Sequence, residues 1–332
     1  MVVLVTGATG FTGGHLARTL AAAGVEVRAL VRDPRAAPAV DLEGTANRGR
    51  TISVVPGDLR DAKAVGRAMQ GVEVVYNIAA LYRQAGLSNE TYRAVNAVAV
   101  GDLIEQAARA GVRRVVHCST VGVHGDIEHP PANEDAPIKP GDVYQRTKVE
   151  GEERARAAAA QFGIEVTIVR PSGIYGPGDR RLLKLFRNTV RRFPMLGRGE
   201  IYYHLTYIDD LVEGFRRCGE HPAAANRTYI LAGHEVTTLR ELTDVIAEVA
   251  GVQPQRRHLP VWPFWLAGAA CEAICTPLRI EPPIYRRRVD FFTKSRAFDI
   301  TRARTEIGYA PATGLRDGLA GTLRWYREHG WL

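Results

Sequence analysis

The sequence predicts an α/β fold, a doubly wound parallel sheet with a smaller, interleaved C-terminal lobe. Three observations predict it. Short β-branched runs alternate with alanine-rich helical segments through the first half of the chain, the rhythm of βαβ units whose sheet is covered on both faces. A glycine-rich turn, residues 6–14, separates the first such run from the first helical segment. At 332 residues the chain exceeds the roughly 250–300 at which single cores stop growing, so a second lobe with a cleft between the two is expected.

In chain order, Val2–Thr6, Glu26–Val31, Thr51–Val55, Val72–Ile78, Arg114–Cys118 and Glu165–Arg170 read as strands. Between them Gly13–Ala23, Ala62–Met69, Asn96–Ala110 and Val143–Gln161 carry the 3.6-residue apolar spacing of helices packed on a sheet. After Arg170 the rhythm breaks into a loop punctuated by proline and glycine, a basic helix around Arg181–Arg192 and a last helix near Leu315–His329. Residues 171–204 and 233–332 are therefore assigned to the second lobe. Leu205–Ile208 and Thr228–Leu231 read as strands that return to the edge of the first sheet, which interleaves the lobes. Leu259–Leu278 approaches membrane-spanning length, but Pro260, Pro263 and Glu272 interrupt it, so it reads as a buried helix or the wall of an apolar pocket.

Hydrophobic residues at 45% and charged residues at 24% are ordinary for a folded soluble protein and exclude disordered or fibrous classes. The net charge of +8 fits an anionic ligand or surface. Arg191-Arg192, Arg256-Arg257 and Arg286-Arg287-Arg288 lack interleaved aromatics and any nucleic-acid motif, so no nucleic-acid partner is expected. Four scattered cysteines with no CxxC or Cys/His cluster imply neither a disulfide scaffold nor a metal. The pair Cys271 and Cys275, one helical turn apart, reads as two small buried apolar side chains. Met1 is followed at once by Val2-Val3-Leu4-Val5 with no secretory signal, and a cytoplasmic protein is expected.

Gly7, Gly10 and Gly13 give GxxGxxG in a loop, with Thr9 and Phe11, that follows the first strand and opens the first helix. A tight turn, close backbone approach to a pyrophosphate and tight helix–strand packing each exclude a side chain, and the helix N-terminus offers N–H groups to phosphates. Residues 1–170 therefore read as a dinucleotide-binding Rossmann domain. At the end of the second strand an acid selects NAD and an arginine selects NADP. Here Val31 takes the acid's place, with Arg32 and Arg35 following, so NADP is favoured, while Asp33 leaves NAD open. Asp58 and Leu59 are placed to hold the adenine, although Asp58 equally suits a helix cap. Ala79 and Ala80, after the fourth strand, let backbone pass against the dinucleotide.

Tyr144 and Lys148, four apart on a predicted helix, share one face. A free tyrosine titrates near 10, so exchanging a proton at neutral pH requires nearby positive charge of the kind Lys148 supplies. Thr120, with Ser119 as runner-up, sits at the carboxyl end of a parallel strand where such sheets bind ligands, and is read as the hydroxyl that holds a substrate oxygen.

The loop TGATGFTGG, the GDL at Gly57–Leu59, CSTVGVHG at 118–125, YQRTK at 144–148 and the run from Arg170 to Gly178 together resemble the extended short-chain dehydrogenase/reductase superfamily, almost end to end. The resemblance implies an enzyme whose catalytic triad is Thr120, Tyr144 and Lys148. It also implies that Asn96 supports the active site, that Pro171 and Ser172 contact the nicotinamide end, and that the chain forms a homodimer through the Asn96–Ala110 and Val143–Gln161 helices. Three departures narrow the branch: His124 where a tyrosine is common, Tyr203 where nucleotide-sugar epimerases carry an arginine, and Val31 for the acid. They pull toward a branch similar to 3β-hydroxysteroid dehydrogenases, dihydroflavonol reductases and a hopanoid-associated epimerase-like group, and the aromatic Trp262, Phe264 and Trp265 suit a bulky apolar substrate. The expected reaction is hydride transfer at a secondary alcohol or ketone. The rival is a nucleotide-sugar epimerase or dehydratase that uses tightly bound NAD, with Arg286, Arg287 or Arg288 supplying the diphosphate contact. A non-catalytic redox sensor on the same fold is disfavoured because such proteins typically lack the Tyr/Lys pair.

Overall fold

The computed structural model describes residues 1–36, 52–82, 84, 86–275 and 289–332. Seven parallel strands form the main sheet: β1 (Val2–Thr6), β2 (Glu26–Val31), β3 (Ile52–Pro56), β4 (Val74–Asn77), β5 (Arg114–Cys118), β6 (Glu165–Pro171) and β10 (Thr228–Leu231). Their spatial order is β3-β2-β1-β4-β5-β6-β10, so the winding reverses between β1 and β4. Ligands bind outside the carboxyl ends of the strands at such a reversal.

Alternation along β1 shows why the sheet is covered twice. Val3 and Val5 enter one core with Leu16, Leu20, Val212 and Phe215, whereas Leu4 enters the other with Val65, Leu103 and Ala155. The first core lies under α1 (Phe11–Ala22) and α7 (Ile208–Glu220). The second lies under α2 (Ala62–Ala68), α4 (Ala99–Arg109) and α5 (Val143–Phe162). A third core belongs to the second lobe, where Phe186 of α6 (Leu183–Val190), Leu242 of α8 (Leu239–Ala250) and Tyr326 of α11 (Leu315–Glu328) pack together. Between α7 and α11 in the chain lie also α9 (Trp262–Cys275) and α10 (Thr301–Ile307).

Four expectations change. Thr228–Leu231 does join the main sheet, beside β6, but Leu205–Ile208 does not. Ile208 opens α7, whereas Leu205, Thr206 and Tyr207 belong to β9 (Tyr202–Tyr207), which pairs with β7 (Gly173–Tyr175) and β11 (Val236–Thr238) in a separate three-stranded sheet. Its edge place is taken by β10, and β9 instead forms the floor of the second lobe. The helix expected from Asn96 begins about two turns earlier, at α3 (Asn89–Arg93), because Ser88 caps it by accepting from Thr91 N. It then passes through a π-helical turn, Ala94–Val98, that contains Asn96.

The third change concerns Leu259–Leu278. The helix α9 forms, but only Gly268 in it is buried, so of the two expectations the buried helix fails, while Trp265 and Glu272 do line a cleft, and residues 276–278 lie outside the described residues. The fourth is that Cys271 and Cys275 are half-buried rather than buried. Among the described residues no helix is long and apolar enough to cross a membrane. Thr51 and Arg286, Arg287 and Arg288 also lie outside the described residues.

Candidate active site

A cleft of about 1280 Å³ opens at the β1/β4 reversal and runs into the second lobe. Its floor is the glycine loop. Gly7 has φ of +69°, and a Cβ there would stand 2.8 Å from the Cα and N of Ala79, so only glycine lets β1 and β4 feed the turn side by side. At Gly13 a Cβ would lie 2.3 Å from the Gly7 carbonyl oxygen, which fixes how closely α1 approaches the turn. Gly10 caps α1 without a side-chain acceptor, and no acid lies in the first turn. The N–H groups of that end therefore keep their positive potential for the cleft, where Thr9, Gly10 and Phe11 form the wall. This cradle suits a pyrophosphate.

Beneath the loop a buried chain ties three strands together. Ala79 N donates to Thr6 Oγ1 (3.1 Å), Thr6 donates to Asn77 Oδ1 (2.8 Å), and the Asn77 amide lies 3.2 Å from His117 Nδ1. Burial, with Lys148 and Arg156 nearby, drives the His117 pKa well below its ordinary value, so the ring is neutral and accepts at Nδ1. Ala79 and Ala80, which line the cleft, are thus held from below. Asn96 holds the next residue: its amide donates to Leu81 O (3.0 Å) and to Thr147 Oγ1 (3.2 Å), and its Oδ1 accepts from Leu81 N (2.9 Å). Asn96 itself is wholly buried and does not face the cleft.

At the far end of β2, Val31 is buried, while Arg32 lines the cleft. Arg35 does not reach it. Its guanidinium turns back onto Asp33, at 2.9 and 3.0 Å, and the same pair occupies the Asp33 carboxylate and lowers its pKa. The sequence reading of Arg35 as a phosphate contact and of Asp33 as a ribose contact is therefore not met by this geometry. Asp58 lines the cleft beside Leu59 and is gripped by Arg60 through both oxygens (3.0 and 2.8 Å), which holds its pKa down at about 2. Asp58 does not cap the following helix, because Asp61 does, accepting from Lys63 N and Ala64 N. Arg60 also lines the cleft, a residue the sequence reading missed.

Thr120, Tyr144 and Lys148 all line this cleft, as do Pro171 and Ser172. Thr120 accepts from Gly122 N (3.1 Å) and so opens a 3-10 turn, Val121–His124, with its hydroxyl at the rim. Ser119 also lines the cleft, but its hydroxyl is committed to Glu152, donating to Oε1 at 2.5 Å. The ring of Tyr144 meets Tyr82 edge-on, with centroids 5.0 Å apart. Lys148 is 1% exposed and donates to the Cys118 carbonyl at 2.6 Å. Burial lowers its pKa, against which the Cys118 thiol and Glu152 act.

Glu152, one further turn along α5, anchors a buried network. Arg170 binds it through Nε to Oε1 (2.9 Å) and Nη2 to Oε2 (2.7 Å), and Arg156 reaches Oε2 from the surface (3.0 Å). Burial pushes the Glu152 carboxyl up, but Arg170, Ser119 and Arg156 together outweigh it and hold the pKa below the ordinary carboxylate range. Arg170 Nη1 also donates to Glu134 O (2.9 Å) and lies 3.2 Å from His124 Nε2. His124 Nδ1 then donates to the carbonyls of Ala136 and Pro137, which fixes a neutral tautomer, and burial lowers its pKa. His124 stands behind the site as a packing partner of Arg170. The one sequence signal for Glu152 was its spacing of four from Lys148.

In the second lobe the cleft is walled by Tyr203, Leu205, Phe291 and Phe298, with Trp265 of α9 at its side. Arg296 adds the guanidinium that Tyr203 lacks: its Cζ lies 5.9 Å from the Tyr203 ring centroid and Nη1 is 3.3 Å from the hydroxyl.

Residues 3–232 match the NAD dependent epimerase/dehydratase family. The chain belongs to that family. It is 31% identical to sterol demethylase protein B of Methylococcus capsulatus, over 99% of each chain. It is 29% identical to 3beta-hydroxysteroid-dehydrogenase/decarboxylase isoform 2 of Arabidopsis thaliana, over 96% of this chain and 61% of the relative. A crystal structure of dTDP-glucose 4,6-dehydratase from Streptomyces venezuelae, with NAD and TYD bound, superposes with a TM-score of 0.76 at 28% identity, over 100% and 98% of the two chains. This family member is an enzyme of the extended short-chain dehydrogenase/reductase type, and the structural relative binds NAD.

Proposed function

We propose that this enzyme transfers hydride reversibly at a secondary alcohol or ketone of a bulky, largely apolar substrate. The observation that carries the proposal is the continuity of one cleft from the glycine loop, past Thr120, Tyr144 and Lys148, to the aromatic wall of Tyr203, Phe291 and Phe298. A bound nicotinamide supplies the hydride acceptor or donor. The chain's own residues supply the rest: the Thr120 hydroxyl holds the substrate oxygen, and Tyr144 gives or takes its proton. The Lys148 ammonium favours the phenolate and meets the nicotinamide ribose, with Glu152 behind it favouring its charged form. Support for a sterol-like substrate comes from the two relatives named for sterol chemistry.

For the cofactor we favour NADP. Arg32 and Arg60 both line the adenosine end, no acid occupies position 31, and Asp33 is bound by Arg35. A rival reading, a nucleotide-sugar dehydratase or epimerase that keeps its NAD, is favoured by Arg296 at the substrate end and by the dehydratase structure. The two readings separate in one assay. The purified protein is given NADP+ or NAD+ with 3β-hydroxysteroids, and separately dTDP- or UDP-glucose. Net formation of reduced nicotinamide at 340 nm with a steroid supports the proposal. A changed nucleotide sugar without net reduction replaces it with the rival.

A further inference from the structure

Helix α9 has a face that the cleft does not use. Its one charged residue, Glu272, and its Trp265 line the cleft. At about 100° per residue, Trp262, Leu266, Ala267, Ala270, Ala273 and Ile274 fall in a single arc of roughly 140° on the other side. All six are exposed, Trp262 at 66%, Leu266 at 51% and Ile274 at 64%, and no charged residue lies among them. A helix face of this size that is exposed among the described residues is a binding surface.

The chain that leads into α9 is basic and aromatic. β12 (His258–Leu259) pairs in parallel with β8 (Met195–Leu196), and Met195 N donates to Arg257 O. This ribbon sets Arg191-Arg192-Phe193 beside Arg256-Arg257, five residues ahead of Trp262. Arg191, Arg192 and Arg257 are exposed, and Phe193 is 61% exposed. Arg256 is paired with Asp244 at 2.8 Å. An apolar face preceded in the chain by exposed arginines and by an exposed aromatic matches an anionic bilayer surface, where rings enter the headgroup layer and guanidinium groups meet phosphates. A second copy fits less well, because an isologous contact would bring the same arginines against each other.

We propose that α9 and the β8–β12 ribbon dock this enzyme on an anionic membrane surface, lying in the interface plane. The docking stands on the helix and ribbon alone. Its use, entry of a lipid-like substrate past α9 into the adjoining cleft, rests on the function proposed above.

Sedimentation of the full chain with phosphatidylcholine vesicles, with and without roughly 30% phosphatidylglycerol, tests the docking without substrate. The expected result is binding to the anionic vesicles that falls when salt rises from roughly 0.05 to 0.5 M. Trp262→Ser with Leu266→Ser should weaken binding about tenfold or more. Replacing Arg191, Arg192 and Arg257 by serine should lose about a hundredfold, at about fivefold per arginine. Both variants should keep the wild-type circular dichroism and nucleotide binding. Three results overturn the proposal: no binding by the unmutated protein, equal binding to neutral vesicles, or folded variants that bind as wild type. A wild-type dimer that the Trp262/Leu266 variant converts to monomer, with no vesicle binding by either, assigns the face to a second copy instead.

Discussion

Replacing Arg170 by methionine tests whether the buried network behind Lys148 is held by charge. Arg170 and Glu152 have side chains only 4% and 3% exposed, and the guanidinium makes two bonds to the carboxylate and one to Glu134 O. Removing one partner of a buried pair costs about 3–5 kcal/mol. Arg156, half exposed, still reaches Glu152, so the lower end, about 3 kcal/mol, is expected against a total of roughly 5–15. The loss should depend on pH. In the wild type the Glu152 pKa is depressed, so its contribution is present above the unfolded carboxylate pKa and lost as pH falls through the folded one. In the variant burial acts with less opposition and raises that pKa, so the penalty is full at neutral pH and shrinks as the carboxyl takes a proton. Guanidinium unfolding at about pH 7.5 and about pH 5 should show the gap narrowing by about 1 kcal/mol or more. A gap below about 1 kcal/mol at neutral pH, or one independent of pH, would refute the charge-based account and leave Arg170 as a packing residue.

Tyr144→Phe should abolish turnover while leaving nucleotide affinity within a few-fold, because only the transferable proton is lost; retained activity removes Tyr144 from the chemistry. Lys148→Met should lower both rate and nucleotide affinity, yet change unfolding stability by less than about 1 kcal/mol, since the buried ammonium already carries a desolvation cost. A variant that is merely less stable, with unchanged kinetics, argues against a catalytic lysine. In fluorescence titrations NADPH should bind about ten- to a hundredfold more tightly than NADH, and Arg32→Ala with Arg60→Ala should remove most of that gap. Equal or tighter NADH binding assigns the ribose to other groups.

Features that repeat at short range were legible in the sequence. The β-branched run of β1, the GxxGxxG turn and the Tyr144–Lys148 spacing are each read within a short window, and all stand in the structure where the sequence puts them. Features that depend on which of several neighbours wins a contact were not. Asp33 sits among Arg32 and Arg35, and the backbone turn after Pro34 gives its carboxylate to Arg35, so Arg32 alone faces the cleft. At the next loop Arg60 competes in the same way for Asp58, and Asp61, not Asp58, caps the helix.

The second lobe was illegible for a different reason. β9 reads as a sheet-edge strand by pattern, and so does β10. Only one can pair beside β6, and β10 does so with Thr228 to Leu231 in register against Ile168 to Pro171. β9 pairs instead with β7, which follows β6 after the single residue Ser172, so the chain that leaves the main sheet at Pro171 enters the three-stranded sheet at once. The wall that follows is assembled from residues 203, 265, 291, 296 and 298, with no common period to betray it. α9 misled most, because periodicity measures how apolar a helix is and not what covers it. With Trp265 and Glu272 on the cleft and its apolar residues exposed on the other side, α9 would meet two different ligands under the two proposals above, a substrate within and a membrane surface without.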